Sequence, residues 1–298
     1  MKKIPVRTDN DMIGSASVTA LMRYLLSQEE GLAKNPDYLG KFFINGKWKD
    51  YLNDLASSRE ELQKKLPGCI YYHLIRTKTF DNSLLKWIKN EKNSQVIILG
   101  AGFDSRAIRF ERLLKENNIK IYEIDLKAML DYKKEIIENT IKTDINHVTF
   151  VACNFQKDNV IEKLSENNFD FNRPTLILWE GVTYFLTKDN IEYYLKLFRD
   201  NIHNKLQITL DYAFRDYIEG NLNFYGAKEL YDILIELEEP HFFGLNYNET
   251  EDFFEERGFM TKSNYTSFML EALYIKDNYG NTVGKPHAFH GMTEIIKK

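Results

Sequence analysis

Gln95–Phe110 reads QVIILGAGFDSRAIRF, a short apolar run that enters Gly100-Ala101-Gly102 and passes directly into a segment of helical character. Glycines at such a junction let the backbone turn sharply and let a ligand lie against it, because any Cβ would intrude. A lone Gly-x-Gly also serves as a plain strand-to-helix turn, so its neighbours have to decide between the two. Asp104 stands where a helix N-cap would, with its carboxylate able to accept the first-turn N–H groups. A dinucleotide would need its pyrophosphate at that spot, and a fixed anion repels it. The third position of the G-x-G-x-x-G pattern is Ser105 rather than glycine, which weakens the dinucleotide reading further. About twenty residues on, KIYEID (120–125) ends with Glu123 and Asp125, where an acid commonly accepts from ribose hydroxyls. A glycine turn without a phosphate grip, followed by an acid for ribose, points to a nucleoside that carries no phosphates.

Outward from this junction, short apolar runs alternate with amphipathic segments, the pattern of β-α units covering a mostly parallel sheet on both faces. The strands are expected in QVIILG, KIYEID, HVTFVAC, PTLILWE and LQITLDYA, with helical periodicity between them, as in DSRAIRFERLLKEN and KDNIEYYLKLFRDNI. Upstream, from about Ser15 to Trp87, the signals are helical, which predicts an N-terminal helical cap over residues 1–92. The segment after the fifth strand is too long for a simple crossover and predicts a helical lid inserted at about 213–245 in a core spanning 93–277. FMTKSNYTSFMLEALYIKD (259–277) has the β-branched and aromatic bias of a closing hairpin, and residues 278–298 read as a polar tail.

Composition narrows the function. The 298 residues carry 40 Lys+Arg against 44 Asp+Glu, a net charge of -4 that offers no positive field for a nucleic-acid backbone. The two cysteines, Cys69 and Cys153, stand far apart, which argues against a disulfide framework or a structural zinc site and fits a reducing cytoplasm. The basic opening MKKIPVRT is followed by no apolar export segment, and no run approaches a membrane span. Six histidines, at 73, 147, 203, 241, 287 and 290, show no metal spacing, and His287 with His290 read as incidental. Oligomeric state is not legible.

The ordered set RTKTFD (76–81), LGAGFDSRAIRF, YEIDL and ILWEGVTYFLT (177–187) resembles the leucine carboxyl methyltransferase family and its bacterial relatives, over most of the chain from about Ser17 to Tyr274. The resemblance implies a class I methyltransferase fold, a Rossmann-like, mostly parallel seven-stranded α/β sheet, with S-adenosylmethionine as cofactor. It implies Arg76 for the cofactor's methionine carboxylate, a bidentate pairing that a guanidinium suits. It places Gly100 and Gly102 under the cofactor, Asp125 on the ribose hydroxyls with Glu123 as competitor, and Asn154 and Phe155 beside the adenine. Asn154 departs from the family's usual Asp, yet an amide still accepts from an exocyclic amine. Glu180 matches the acid near the donor's amino group, with helix capping as its alternative role. Tyr184 or Phe185 would line the acceptor pocket.

The expected activity is transfer of a methyl group to a carboxylate or hydroxyl of a small, polyketide-like molecule. Alternatives are methylation of a protein's C-terminal carboxylate, an NAD-dependent oxidoreductase, and a non-catalytic S-adenosylmethionine-binding protein. A carboxylate acceptor needs no general base; for a hydroxyl, His73, His241, Glu180 and Tyr184 stand undifferentiated as bases.

Overall fold

The computed structural model describes residues 9–155 and 157–298; the basic opening segment 1–8 lies outside the described residues. The helical opening comprises α1 (Asp9–Tyr24), three 3-10 turns between Gly31 and Leu52, α2 (Leu55–Lys65) and α3 (Cys69–Asn90). The carboxylate of Asp54 caps α2 by accepting from the N–H groups of Ala56 and Ser57. Pro67-Gly68 separates α2 from α3, with Gly68 left-handed at φ 88°.

Next come β1 (Gln95–Leu99), α4 (Arg106–Arg109), α5 (Glu111–Glu116), β2 (Lys120–Asp125), α6 (Lys127–Ile136), β3 (Val148–Ala152), α7 (Val160–Glu166), β4 (Thr175–Trp179), α8 (Lys188–Asn201) and β5 (Leu206–Ala213). The chain finishes with α9 (Arg215–Ile218), α10 (Ala227–Glu236), α11 (Thr250–Glu255), β6 (Phe259–Thr266), α12 (Ser267–Tyr274) and β7 (His290–Lys297). Among the described residues seven strands form one sheet in the order β3-β2-β1-β4-β5-β7-β6. The first five are parallel, and β7 runs antiparallel to both β5 and β6.

Alternation along the buried strands divides the core in two. Ile97 and Leu99 of β1 pack with Leu195 and Phe198 of α8, while Val96 and Ile98 pack with Phe80, Leu84 and Trp87 of α3. Each such fully buried side chain contributes roughly 1.5–3 kcal/mol. The last half of α3 therefore covers one face of the sheet. Its first half joins Leu21, Leu25 and Phe43 in a cluster that also takes in Phe103 and Met129 from the sheet's carboxyl end, so the cap and the sheet share packing.

Two expectations at the chain's end are corrected. Only 259–266 of the presumed hairpin is strand. Residues 267–274, SFMLEALY, form α12, started by the Thr266 hydroxyl accepting from Met269 N–H at 3.3 Å. The second strand of the pair comes from the presumed tail, where HGMTEIIK inserts between β5 and β6. Sheet pairing with residues about 80 positions earlier in the chain, Gln207 with Ile296 through Ala213 with His290, overrides its polar look.

Candidate functional site

A cavity of about 560 Å³ opens at the carboxyl edge of β1, β2, β3 and β4, where a doubly wound sheet presents its crevice. The loop after β1 forms its floor. Gly100 and Gly102 both take left-handed φ, 64° and 43°. A Cβ on Gly100 would come within 2.6 Å of Val182 Cγ2, so this position needs glycine for both conformation and space. Gly100→Ala is therefore expected to destabilise the fold by at least about 1–2 kcal/mol, as a lowered urea midpoint.

Asp125 ends β2 beside this loop. Its two carboxylate oxygens accept from Gly102 N–H and Leu126 N–H, each at 2.7 Å. Burial raises its carboxyl from the usual value, and these two N–H groups oppose the rise. Asp104 is not the helix cap itself, since Ser105 holds that position; its carboxylate accepts from Arg106 N–H at 2.7 Å and also meets the Arg106 guanidinium. The first N–H of α4 is thus taken by an internal anion, whose charge would repel a pyrophosphate at that terminus.

Glu123 does not line the cavity, contrary to the sequence reading. It lies one pleat period deeper in β2 than Asp125, where Lys133 of α6 meets it at 2.5 Å in a fully buried pair. Burial pushes its carboxyl up to about 7 in spite of Lys133. Arg76, Gly100, Gly102, Asp125, Asn154, Phe155, Glu180 and Tyr184 all line the one cavity. The stripe Cys69, Tyr72, His73, Arg76 and Thr77 faces it because residues three and four apart share a helix face.

Arg76 stands between two strand-end acids. Its Nε lies 3.0 Å from Glu180, and its Nη1 lies 3.4 Å from Asp211 and donates to the Tyr184 hydroxyl at 2.9 Å. Asp211 is a partner that the sequence reading missed, although an acid inside the buried strand LQITLDYA was its signal. It also accepts from the Tyr72 hydroxyl and from Gly181 N–H, both at 2.8 Å. Arg106 was missed as well; it reaches Glu180 at 2.7 Å and Asp81 at 2.8 Å, while Arg109 pairs with Asp81 at 2.6 Å. Farther along, Arg23 pairs with Asp37 at 2.6 Å; burial would raise the Asp37 carboxyl, but Arg23 and Arg109 hold it below the usual range. Four arginines here are outnumbered by Asp37, Asp81, Asp104, Asp125, Asp211 and Glu180. That balance suits a ligand with positive groups and repels a pyrophosphate.

The largest departure from the sequence reading is at the other end of the cavity. His73, His241, His287 and His290 all line it, so the two histidines near the tail are part of the site. His290 stacks on Tyr72 with ring centroids 4.1 Å apart, and His241 lies 4.4 Å from the Tyr184 ring. Burial drives all four below the usual histidine value, with Arg76 adding to the effect on His73, His287 and His290; His241 and His287 fall to about 3. Folded, they stay neutral while the unfolded chain's histidines bind protons below about 6.5. Stability is then fully present above pH 6.5 and lost as pH falls from there towards 3, each histidine contributing up to about 1.4 kcal/mol per pH unit. Denaturant midpoints compared at pH 7.5 and 5.5 should show a clear drop at the lower pH. Burial and Asp211 also raise the Tyr184 phenol, which therefore stays protonated and cannot serve as a base. Among the described residues, no group of three or more histidines, cysteines or acids is placed to hold a metal ion.

The sheet and its carboxyl-edge cavity define a Rossmann-like α/β protein. Within that class the chain belongs to the leucine carboxyl methyltransferase family, whose pattern it matches over residues 16–198. It is 28% identical over 195 residues, 60% of this chain and 59% of the relative, to a Mycolicibacterium paratuberculosis protein provisionally named an S-adenosyl-L-methionine-dependent methyltransferase. It is 24% identical over 218 residues, 62% of this chain and 64% of the relative, to leucine carboxyl methyltransferase 1 of Kluyveromyces lactis. These matches span about three fifths of the relatives' length. A crystal structure from Thermobifida fusca, provisionally titled a methyltransferase, shares the fold at a TM-score of 0.59 and 16% identity over 94% of both chains.

Proposed function

We propose that this protein binds S-adenosylmethionine and transfers its methyl group to an oxygen of a small molecule. The observation that carries the reading is that the Gly100–Gly102 turn with Asp125, and the Arg76–Glu180 pair, lie on one continuous cavity. Both Asp125 oxygens keep lone pairs beyond those that accept the loop N–H groups, and these would receive the ribose hydroxyls. Asn154 and Phe155 would face the adenine. The described contacts of Arg76 use Nε and Nη1, leaving Nη2 for the donor's carboxylate, while Glu180 would face its ammonium. When bound, the donor supplies an already activated methyl group, displaced in line from its sulfonium. The protein's part is alignment in a dry pocket.

The name of the yeast relative raises the alternative of a protein carboxyl terminus as acceptor. A small molecule is favoured by the roof over the cavity, where Leu230, Leu234 and Leu237 of the α10 region and His287 before β7 enclose it. Free thiols at Cys69 and Cys153 support a cytoplasmic setting, and among the described residues no helix is long and apolar enough to cross a membrane. Incubation with methyl-labelled S-adenosylmethionine and a small-molecule extract tests the reading. Label should pass to an extractable product with S-adenosylhomocysteine released in equal amount; label found only on protein would favour the alternative.

A further inference from the structure

Strand β5 is buried along its whole length, and a parallel-sheet strand covered on both faces is expected to be apolar throughout. Alternation sends Leu206, Ile208, Leu210 and Tyr212 into the core cluster that α8 shares. The opposite face, turned toward α3, carries Gln207, Thr209 and Asp211 instead. Gln207 Nε2 donates to the Ser83 hydroxyl at 3.2 Å, the Thr209 and Ser83 hydroxyls lie 2.6 Å apart, and the Tyr72 hydroxyl donates to Asp211 Oδ2 at 2.8 Å. A buried polar group is costly without its partner, so these bonds fix where along β5 the helix sits. They bring Arg76, one helical turn beyond Tyr72, to the level of Asp211.

Asp211 is completely buried and does not border the cavity. Its other carboxylate oxygen, Oδ1, accepts from Gly181 N–H at 2.8 Å, and its backbone carbonyl accepts from the Thr183 hydroxyl. Gly181 directly follows Glu180 and is left-handed at φ 72°, so close to the arginine that a Cβ there would stand 3.2 Å from Arg76 Nη1. One side chain therefore ties the helix that carries Arg76 to the turn that carries Glu180. Arg76 Nη1 lies 3.4 Å from Asp211 while Nε lies 3.0 Å from Glu180, which holds the guanidinium plane between two carboxylates and keeps it from swinging wholly onto either. Burial raises the Asp211 carboxyl, and Arg76 with Gly181 N–H opposes the rise. We propose that Asp211 is a positioning residue for the amino-acid end of the donor: without touching the ligand, it sets the plane of Arg76 and the Glu180 turn, the two groups that receive the donor's carboxylate and ammonium. This inference rests on the S-adenosylmethionine reading above.

Calorimetry on the full chain tests it with two ligands, S-adenosylhomocysteine and 5′-methylthioadenosine, which keeps the nucleoside and the sulfur but lacks the amino-acid end. The wild type should bind both. Asp211→Asn preserves the size of the side chain and an oxygen for Gly181 N–H, but turns an amide N–H toward Arg76 where an anion stood. It should weaken S-adenosylhomocysteine about tenfold or more, the worth of a hydrogen bond to a charged group. Binding of 5′-methylthioadenosine should change less than about twofold, since that ligand makes no use of Arg76 or Glu180. Tyr72→Phe keeps the ring and removes the hydroxyl that Asp211 holds; it should show the same selectivity with about threefold loss on S-adenosylhomocysteine, and it decides the question if Asp211→Asn does not fold. Equal losses on both ligands, as a general loosening of the fold would give, or no loss on either, would overturn the proposal. So would refusal of 5′-methylthioadenosine by the wild type, because the nucleoside half is assigned a site that does not depend on Asp211. Failure of the wild type to bind S-adenosylhomocysteine overturns the donor reading and this one with it; binding of that ligand with any other pattern of losses overturns this one alone.

Discussion

Arg76→Ala is expected to abolish measurable binding of S-adenosylmethionine, weakening it about 100-fold or more, and to lower the stability of the fold at the same time. Both effects have one origin. The guanidinium is buried between Glu180 and Asp211, and its removal strands two carboxylates away from water. Breaking a buried pair from one side costs about 3–5 kcal/mol. For a chain of this size that is a fall of several degrees in melting temperature, by differential scanning calorimetry. Arg76→Lys keeps the charge but not the planar fork that meets Glu180, Asp211 and Tyr184 together, so stability should recover partly and donor binding little. Equal recovery of both would show that charge alone matters at this position.

Asp125→Ala should give the second large loss, about 100-fold or more in donor affinity, since two hydrogen bonds to a charged acceptor contribute about 1.5–3 kcal/mol each. The same change leaves Gly102 N–H and Leu126 N–H without their acceptor and loosens the glycine turn. Glu123→Gln is the matched control. Glu123 sits two residues earlier on the same strand but faces Lys133 inside the protein, so donor affinity should change less than threefold while stability falls. Isothermal calorimetry of the two variants separates the competing acids, and equal losses would contradict their assignment.

These assignments also mark how far the chain could be read before its structure. Strands β1 to β5 were legible because each is a compact apolar run closed by a turn or an acid. The region from β6 onward was not, because SFMLEALY combines helix formers with aromatic residues, and HGMTEIIK becomes a strand only by lying between β5 and β6. The site divides along a similar line. Arg76, the glycines, Asp125 and Glu180 fall within local motifs. Asp211 and Arg106 act through partners far away in the chain, and neither Tyr72–Asp211 nor Arg106–Glu180 leaves a trace in spacing. His287 and His290 reach the cavity only because the tail folds back, with His287 N–H donating to the Gly68 carbonyl. Glu123 and Asp125 share a strand face, so alternation could not separate them; the length of the Lys133 side chain did.

The most direct test of the account is calorimetric titration of the purified protein with S-adenosylmethionine, S-adenosylhomocysteine and NAD. The account predicts saturable binding of both sulfur nucleosides and none of NAD, whose pyrophosphate would face the Asp104 carboxylate, which already holds the first N–H of α4. Binding of NAD, or indifference to all three, would contradict it.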